Sequence, residues 1–428
     1  MPPNPATPPP IEDALRRHGP SRWAFVRCRD VRNSRSAAAH DCRAGRAAVF
    51  ALNEIPSPHA HVGAIIAMAS ALNARGFCTT LYMLKSRNKV RVDAEGLGLG
   101  PEIRLSTSIG STRFSHLLSL TAWLMIAAFR SHQLVLTRSS LVALFARRSR
   151  LVLLELHQNP IVRPLSMKFD RLILRLLRSD RVKLVVITER LRNRIMSDFP
   201  HLPSSRFVVA PSGFRSDWYP EQWEPSPGHG RIAYVGSLYP GRGIDVVVEL
   251  ARRLPEVEVL VIGGSIDQWA SLLDGSEAPR NCVHHPHVLP GDVPDLLSAC
   301  DVLLAPYQQK VLIASGQDIA PWMSPLKLVE YLAAGRAIVA SDLPMVSTLV
   351  SHGVDGVLID PLDVDGWASA VQGLLADAER RNSLARSAHR AAHGALDWDS
   401  RLERILAAFR WGALPSDASQ APRRANQG

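Results

Sequence analysis

Short apolar runs and amphipathic stretches of helical spacing alternate along almost the whole chain. Runs rich in aliphatic and β-branched side chains are typical of buried strands, whereas apolar residues three and four apart are typical of helices. The first half has predicted strands at 47–52, 79–84, 133–136, 151–156, 184–188 and 207–210, and a predicted helix at 62–75. After residue 230 the alternation restarts, with predicted strands at 231–235, 257–262, 283–285, 302–305, 337–340 and 357–359, and closing helices at 363–375 and 399–409. This pattern predicts an α/β fold with two Rossmann-like domains, each a parallel sheet covered by helices.

A loop rich in Pro, Gly, Ser and Trp, residues 211–230, separates the two halves. We therefore predict an N-terminal domain over residues 46–222 and a C-terminal domain over residues 223–412. Residues 1–45 are rich in Pro and Arg without the apolar core of a signal peptide, so we expect a disordered lead. The polar residues 413–428 are an expected disordered tail. Two such domains would face each other across a cleft at the carboxyl ends of their strands, where open α/β sheets bind ligands.

Charge is distributed unevenly between the halves. Residues 1–225 carry 33 Lys and Arg against 16 Asp and Glu, whereas residues 226–428 carry 17 against 23. A basic N-terminal half favours an anionic partner, such as a membrane surface or a lipid-linked acceptor. Nucleic acid is the weaker interpretation, because no nucleic-acid motif or interleaving of aromatic and basic residues is present. Five cysteines without a CxxC pair favour buried thiols in a cytoplasmic protein, and the scattered histidines predict no metal site.

Two apolar stretches bear on membrane contact. Residues 117–129 are apolar but too short to span a bilayer, which needs about 20 residues, so we predict a buried helix. Residues 161–183 form a basic amphipathic pattern that either packs on its own sheet or lies on a membrane.

The segment from Ser324 to Asp342 carries the strongest chemical signal. Ser324 is suited to cap a helix and Pro325 to begin it. The helix start through Leu326 would present free N–H groups and a partial positive charge to a diphosphate. Lys327 adds a cation, and Glu330, three residues on, offers a carboxylate to the diol of a sugar. An ordinary capped helix packed on a sheet explains the same pattern.

A second candidate phosphate site is the loop GSLYPGRG after the predicted strand 231–235. Gly236 lets a diphosphate approach the backbone, next to Ser237, and Arg242 supplies a cation. The spacing is not GxGxxG, so the dinucleotide fingerprint is absent. A tight turn with a solvated arginine remains the alternative.

The first half offers candidate contacts on the other side of the cleft. His157 ends a predicted buried strand, where its ring can donate a hydrogen bond to a sugar. Asn53, His59 and His61 surround the loop before the first helix, and Arg138 follows a strand. We interpret these four as acceptor or cleft contacts; a surface loop and a satisfied buried histidine are the structural alternatives.

Together these segments resemble family 4 glycosyltransferases, of a type that builds bacterial surface polysaccharides. The matching motifs are SPLKLVEYLAAG, RIAYVGSLYPGRGID, CDVLLAPY, NEIPSPHAH, LTRS and LELH, spread over residues 47–411. The resemblance implies a GT-B fold whose last helix, 398–409, crosses back to the first domain. It also implies a retaining transfer, without a cofactor, from a nucleotide-diphosphate sugar to a glycan or lipid-linked acceptor. The residues themselves lead us to expect that this transfer needs no metal ion, and that the protein is cytoplasmic and peripheral at the inner face of the plasma membrane.

The resemblance also implies roles for particular residues. Arg242, Lys327 and the helix start would hold the diphosphate, Glu330 the ribose, and His157 the sugar side. Two positions depart from the family pattern: Ser237 replaces an arginine, and Trp322 replaces the first glutamate of the E-x7-E motif. Two alternatives therefore stay open, a non-catalytic scaffold on the same fold and a sugar-nucleotide epimerase.

Overall fold

The computed structural model describes residues 43–55, 60–85, 103–108, 111–146, 148–158, 179–288, 290–313 and 316–411; the side chains of 52–61, 85 and 113 lie outside this description. All of the expected disordered tail, and most of the expected disordered lead and of the basic stretch 161–183, therefore fall outside the described residues; Gly45, at the end of that lead, is instead in a strand. The domain limits stay a prediction, and the connection in which we placed them runs between the last strand of one sheet and the first strand of the next.

The first sheet has seven parallel strands in the order β3-β2-β1-β4-β5-β6-β7. Its strands are β1 (Gly45–Ile55), β2 (Phe77–Lys85), β3 (Arg104–Thr107), β4 (Leu134–Thr137), β5 (Leu151–Leu156), β6 (Val182–Val186) and β7 (Phe207–Val209). Its helices are α1 (Ala60–Ala74), α2 (Arg113–Phe129), α3 (Ser140–Phe145) and α4 (Glu189–Asp198). The sequence pattern located every strand except β3, a four-residue edge strand whose polar sequence RLST lacks an apolar run.

The second sheet has six parallel strands in the order β10-β9-β8-β11-β12-β13. They are β8 (Arg231–Val235), β9 (Glu258–Ile262), β10 (Cys282–His285), β11 (Val302–Ala305), β12 (Ala337–Ser341) and β13 (Val357–Ile359). The helices are α5 (Ile244–Arg253), α6 (Ile266–Leu273), α7 (Val293–Ser298), α8 (Leu326–Ala334), α9 (Pro344–Ser347), α10 (Val364–Ala376), α11 (Ala378–His393) and α12 (Trp398–Ala408). Short 3-10 turns lie at Ser204–Arg206, Ser216–Trp218 and Pro290–Asp292. The predicted α/β class with two facing parallel sheets is confirmed.

The last helix, α12, belongs to the core of the first domain. Trp398, Leu402, Ile405 and Leu406 are buried in the same apolar cluster as β1, β2 and α1. The return to the first domain is fixed where Phe214 and Asp397 pair through their backbones. The predicted crossover of this helix is confirmed.

Helix α2 differs from the buried helix predicted at 117–129. Trp123 and Ala127 pack into the first domain, but Phe114, Leu117 and Phe129 are each at least 60% exposed. The prediction of a buried helix was wrong for this outer face, because apolar composition alone does not show which side meets a sheet. Among the described residues, no helix has the combined length and apolar character needed to cross a bilayer.

The described cysteines include both free thiols and a disulfide-bonded residue. Cys282 and Cys300 are buried free thiols, as expected, and burial raises the pKa of the Cys300 thiol to about 12. Cys78 on β2 is instead disulfide-bonded. The expectation of free thiols therefore fails at Cys78, since sequence spacing does not reveal which cysteines meet across the fold.

Candidate functional site

Helix α8 begins at the carboxyl edge of the second sheet with an open N-terminus. Pro325 is its N-cap residue, and no side chain caps the helix. The sequence suggested Ser324 as the cap, but the Ser324 hydroxyl accepts a hydrogen bond from the Ser212 amide at 2.9 Å. This cap assignment was wrong because the hydroxyl is used to join the two domains. The first amides of α8, with their partial positive charge, are left available to an anion.

Lys327 lies in the first turn of α8 and is only 9% exposed. Its Nζ is 3.8 Å from the ring centroid of Tyr234 and 4.5 Å from that of Tyr307. It makes no hydrogen bond. Burial, and then the charge of Arg242, lower the pKa of the Lys327 ammonium well below its ordinary range. A cation held between two tyrosine rings without a carboxylate is a site that lacks its counter-charge.

Arg242 lies beside this lysine on the loop after β8. Its Cζ is 5.7 Å from the Tyr307 ring centroid, and its Nε has no hydrogen-bond partner. The glycines on either side of Arg242 let this loop pack closely against the backbone of residues 306–310. Gly241 and Gly243 have φ of +84° and +75°, and a Cβ would lie 1.8 Å and 1.7 Å from the carbonyl oxygens of neighbouring loop residues. The predicted Gly-Arg-Gly turn therefore aims a guanidinium at the start of α8.

Gly236 and Ser237 complete this side of the site. A Cβ at Gly236 would lie 3.2 Å from the Tyr234 hydroxyl and 3.6 Å from Lys327 Cε. The Ser237 carbonyl accepts a hydrogen bond from the Tyr234 hydroxyl at 2.7 Å. The structure thus brings Gly236, Ser237, Arg242 and Lys327 together, as predicted. Tyr234 and Tyr307 were missed, although both lie inside quoted motifs, because an aromatic residue at a strand end is ordinarily core.

Glu330 follows one turn later on α8. Its carboxylate makes no hydrogen bond or ion pair with any described residue, and burial raises its pKa to about 7. Its charge acts on Tyr219 and Tyr307, which places it near the same aromatic side chains. A carboxylate kept apart from cations in this way is available to accept hydrogen bonds from a ligand.

His157 lies on the first domain within a buried charged cluster. Its Nε2 is 2.5 Å from Glu155 Oε1, and the same oxygen is 3.2 Å from Arg138 Nη2 and 3.3 Å from Arg401 Nη2. Burial and the Arg138 charge lower the pKa of His157, while Glu155 opposes them. Burial by itself would raise the pKa of Glu155, but Arg401, Arg138 and His157 together hold that pKa well below its ordinary range. Sequence reasoning missed Arg401, which is 246 positions away from Glu155.

The start of α8 lies directly against the first domain. The Thr188 hydroxyl donates to the Trp322 carbonyl at 3.2 Å, and the Trp322 ring packs against the apolar cluster of β4, β5 and β6. Leu326 packs against the other cluster of the first domain. The lysine site and the histidine cluster are therefore built on the carboxyl edges of two sheets that meet at this segment.

Comparisons with known proteins agree with this arrangement. Residues 229–377 match the model of the family described as glycosyl transferases group 1. Residues 229–377 are thus similar to a group 1 glycosyltransferase domain. Over 187 residues the chain is 27% identical to the D-inositol 3-phosphate glycosyltransferase of Mycobacterium ulcerans (strain Agy99), covering 42% of this chain and 38% of that protein. The chain thus spans about two fifths of the length of this relative.

Similarity to solved structures shows a GT-B fold over about 85% of this chain. HepE of Anabaena, in complex with UDP and glucose, superposes with a TM-score of 0.63 at 15% identity, covering 85% of this chain and 99% of that one. WaaG, a glycosyltransferase involved in lipopolysaccharide biosynthesis, superposes with a TM-score of 0.58 at 15% identity, covering 86% and 100%. The Lys327 site falls inside the residues that match the family model.

The structure describes the other predicted site residues only in part. Asn53 lies on β1 and His61 on α1, but their side chains are outside the described part, as is all of His59. Their roles stay predictions. Asp363 caps α10 by accepting from the Gly366 amide at 2.9 Å, and Asp365 pairs with Arg253. These two carboxylates are thus used for helix capping and for an ion pair, and metal independence remains a prediction.

Glu330 allows a test by pH. The pKa of about 7 means that the carboxylate forms as pH rises through neutrality, and a carboxylate accepts from both hydroxyls of a diol. We expect the Michaelis constant for the donor to fall between about pH 6 and 8, and Glu330→Gln to raise it and remove this component. Lys327 is present in both proteins, so the difference between wild type and Glu330→Gln isolates the carboxylate.

Stability gives an independent readout of the same group. Because its folded pKa is raised, the stability that protonated Glu330 contributes is present below its ordinary value of 4.5 and lost as pH rises through about 7. Glu330→Gln should therefore unfold at a higher temperature than wild type at pH about 8 without nucleotide. A donor constant that is the same in both proteins at every pH would remove Glu330 from the donor site.

Proposed function

We propose that this protein transfers a sugar from a nucleotide-diphosphate donor to a glycan or lipid-linked acceptor, with retention of anomeric configuration and without a metal ion. One observation carries the proposal: Lys327 and Arg242 are held together at the open start of α8, and no carboxylate of the described residues pairs with either cation. Burying unpaired cations costs stability. A diphosphate is the ligand whose charge and shape would offset that cost.

The chemistry follows from the leaving group. As the glycosidic bond to the donor breaks, negative charge accumulates on the departing diphosphate. Lys327, Arg242 and the α8 amides surround that position with positive charge already in place, which lowers the barrier without reorganisation. Glu330 would hold the ribose, one turn further along the helix.

His157 would act on the sugar side of the cleft. Glu155 accepts only, so the neutral ring carries its proton on Nε2 and leaves Nδ1 as an acceptor. His157 therefore accepts a hydrogen bond from a sugar hydroxyl, rather than donating one as the sequence suggested. Arg138 and Arg401 fix this orientation through Glu155.

The alternatives fit these contacts less well. A scaffold that had lost donor binding would have no use for two unpaired cations, even though Ser237 and Trp322 depart from the family pattern. An epimerase would bind the same nucleotide, so only the reaction product distinguishes it from a glycosyltransferase. We further propose that the acceptor is of surface-polysaccharide type, and that the protein is cytoplasmic and peripheral to an anionic membrane, as the basic first half favours.

A nucleotide screen tests the proposal. Because a ligand that binds only the folded state stabilises it by about 2.7 kcal/mol at a hundred times its dissociation constant, UDP or GDP should raise the melting temperature by several degrees. The same screen with nucleotide sugars, followed by anomer-resolved NMR of the product, separates transfer from epimerisation. EDTA should leave the rate unchanged. If no nucleotide moves the melting temperature, the donor site is wrong and the scaffold is favoured.

A further inference from the structure

The outer face of α2 is mostly apolar from its first turn to its last. The side chains of Phe114, Leu117, Leu118, Met125 and Phe129 are 70%, 60%, 48%, 53% and 62% exposed. They recur at helical spacing on one side, and the helix contains no Lys, Asp or Glu. Phe145 of the adjoining α3, 42% exposed, extends this surface. Contiguous apolar surface of this kind marks an interaction site.

The inner face of the same helix already anchors it. Trp123 is 4% exposed, and Ala127 is fully buried against β1, β4 and β5. Thr112 and Ser115 close its N-terminus in a capping box. The exposed side chains therefore take no part in the domain core. The helix presents one face to the sheet and the opposite face outward.

A basic cavity begins where α2 ends. It has a volume of about 630 Å³ and is lined by Arg46, Arg148, Arg150 and Arg181, with no acidic residue in its lining. Arg46, Arg148 and Arg150 form no ion pair with any described residue. His132 also lines the cavity; it is 8% exposed, and its Nδ1 has no hydrogen-bond partner. These groups together favour an anion with several acceptor oxygens, such as a phosphate ester.

The apolar face and the cavity are one continuous surface. The Arg148 Cζ lies 5.7 Å from the centroid of the Phe129 ring, the last residue of α2. Arg130, also exposed, follows directly. The cavity lies at the amino ends of the strands, where β1, β5 and β6 begin, opposite the cleft edge of the sheet. A seventeen-residue helix is about 25 Å long, so the apolar face runs from the cleft edge to the cavity.

We propose that this surface, the outer face of α2 with the arginine cavity, is where the protein docks on a membrane containing anionic phospholipid. The apolar side chains enter the interface between headgroups and acyl chains, and the arginines bind lipid phosphates. The inference rests on the peripheral association proposed above and specifies its site. Charge complementarity selects the occupant: a neutral apolar partner would leave Arg46, Arg148 and Arg150 without a counter-charge among the described residues, and a soluble anion would leave the apolar face exposed.

The geometry also orients the molecule. With α2 lying in the plane of the interface, the cleft edge of the first domain is held at headgroup height. A sugar-accepting group carried on a membrane lipid then reaches the cleft without leaving the bilayer.

Vesicle sedimentation tests the proposal with two variants. One replaces Leu117, Leu118 and Met125 by glutamine, and the other combines Arg148→Gln with Arg150→Gln. Matched controls on the second domain are Ile266→Gln with Leu362→Gln, exposed by 69% and 77%, and Arg252→Gln with Arg280→Gln. Vesicles are phosphatidylcholine alone, or mixed with phosphatidylglycerol. Wild type and controls should bind the anionic vesicles, and each test variant should bind them at least about tenfold more weakly. Added salt should weaken wild-type binding further.

The outcomes separate this proposal from the function. All variants should keep the nucleotide-dependent rise in melting temperature, which shows that they fold and that the donor site is independent of docking. Two results would overturn the docking surface: test variants that sediment with vesicles as wild type does, or wild type that binds no vesicle. Neither result would change the conclusion from nucleotide binding. Stabilisation by inorganic phosphate that depends on Arg148 and Arg150, without vesicle binding, assigns the cavity to a soluble anion and also overturns it. A dimer in light scattering that the glutamine variant abolishes, without vesicle binding, does the same.

Discussion

Lys327→Met is expected to lower turnover by roughly a hundredfold or more, the usual size of the loss when one stabilising group is removed from a developing anion. The ammonium makes no hydrogen bond or ion pair with any described residue and contacts only the two tyrosine rings there, so its loss falls mainly on the ligand. Methionine fills the same space between the Tyr234 and Tyr307 rings. The free protein should melt at the same temperature as wild type or higher, because a buried unpaired charge has been removed.

The measurements are steady-state kinetics on the donor and thermal unfolding without nucleotide. Arg252→Met is the matched control, since this exposed basic residue of the same domain pairs only with Glu249, at 3.5 Å, and should leave both quantities unchanged. Arg242→Ala should lose turnover in the same direction as Lys327→Met. Wild-type turnover in purified Lys327→Met would contradict the diphosphate assignment and return this segment to an ordinary helix on a sheet.

Glu155→Ala is expected to destabilise the protein by about 3–5 kcal/mol, the range for breaking one partner out of a buried ion pair. Glu155 is 3% exposed and accepts from Arg138, His157 and Arg401 through one oxygen. Removing it leaves Arg401, 1% exposed, buried without a carboxylate. Urea unfolding followed by circular dichroism measures the change.

Glu403→Ala is the control for this loss. Glu403 lies on α12, the helix that also carries Arg401. Its side chain is 75% exposed and its contact with Arg75 is 3.7 Å, so its removal should cost less than about 1 kcal/mol. If the two variants unfold alike, the Glu155 cluster does not hold α12 to the first domain.

The sequence carries most of the fold because apolar runs and helical spacing repeat without interruption in both halves. It also located the Lys327 site, since Gly241, Arg242 and Gly243 and the start of α8 are local patterns whose side chains point to one edge of a parallel sheet. It failed where contacts join distant positions. Arg401 reaches Glu155 only because α12 returns to the first domain. The Ser324 hydroxyl does not cap α8, because it accepts a hydrogen bond from the Ser212 amide of the other domain. Whether an apolar helix such as α2 faces inward is likewise decided by its neighbours.

The return of α12 to the first domain has a consequence for the order in which the chain becomes structured. Trp398, Leu402, Ile405 and Leu406 fill the cluster formed by β1, β2 and α1, although some three hundred residues of chain separate them from it. During synthesis the first domain emerges long before these side chains exist, and its apolar groove stays open until the second domain has been made. The domain that begins to fold first is therefore the last to be completed.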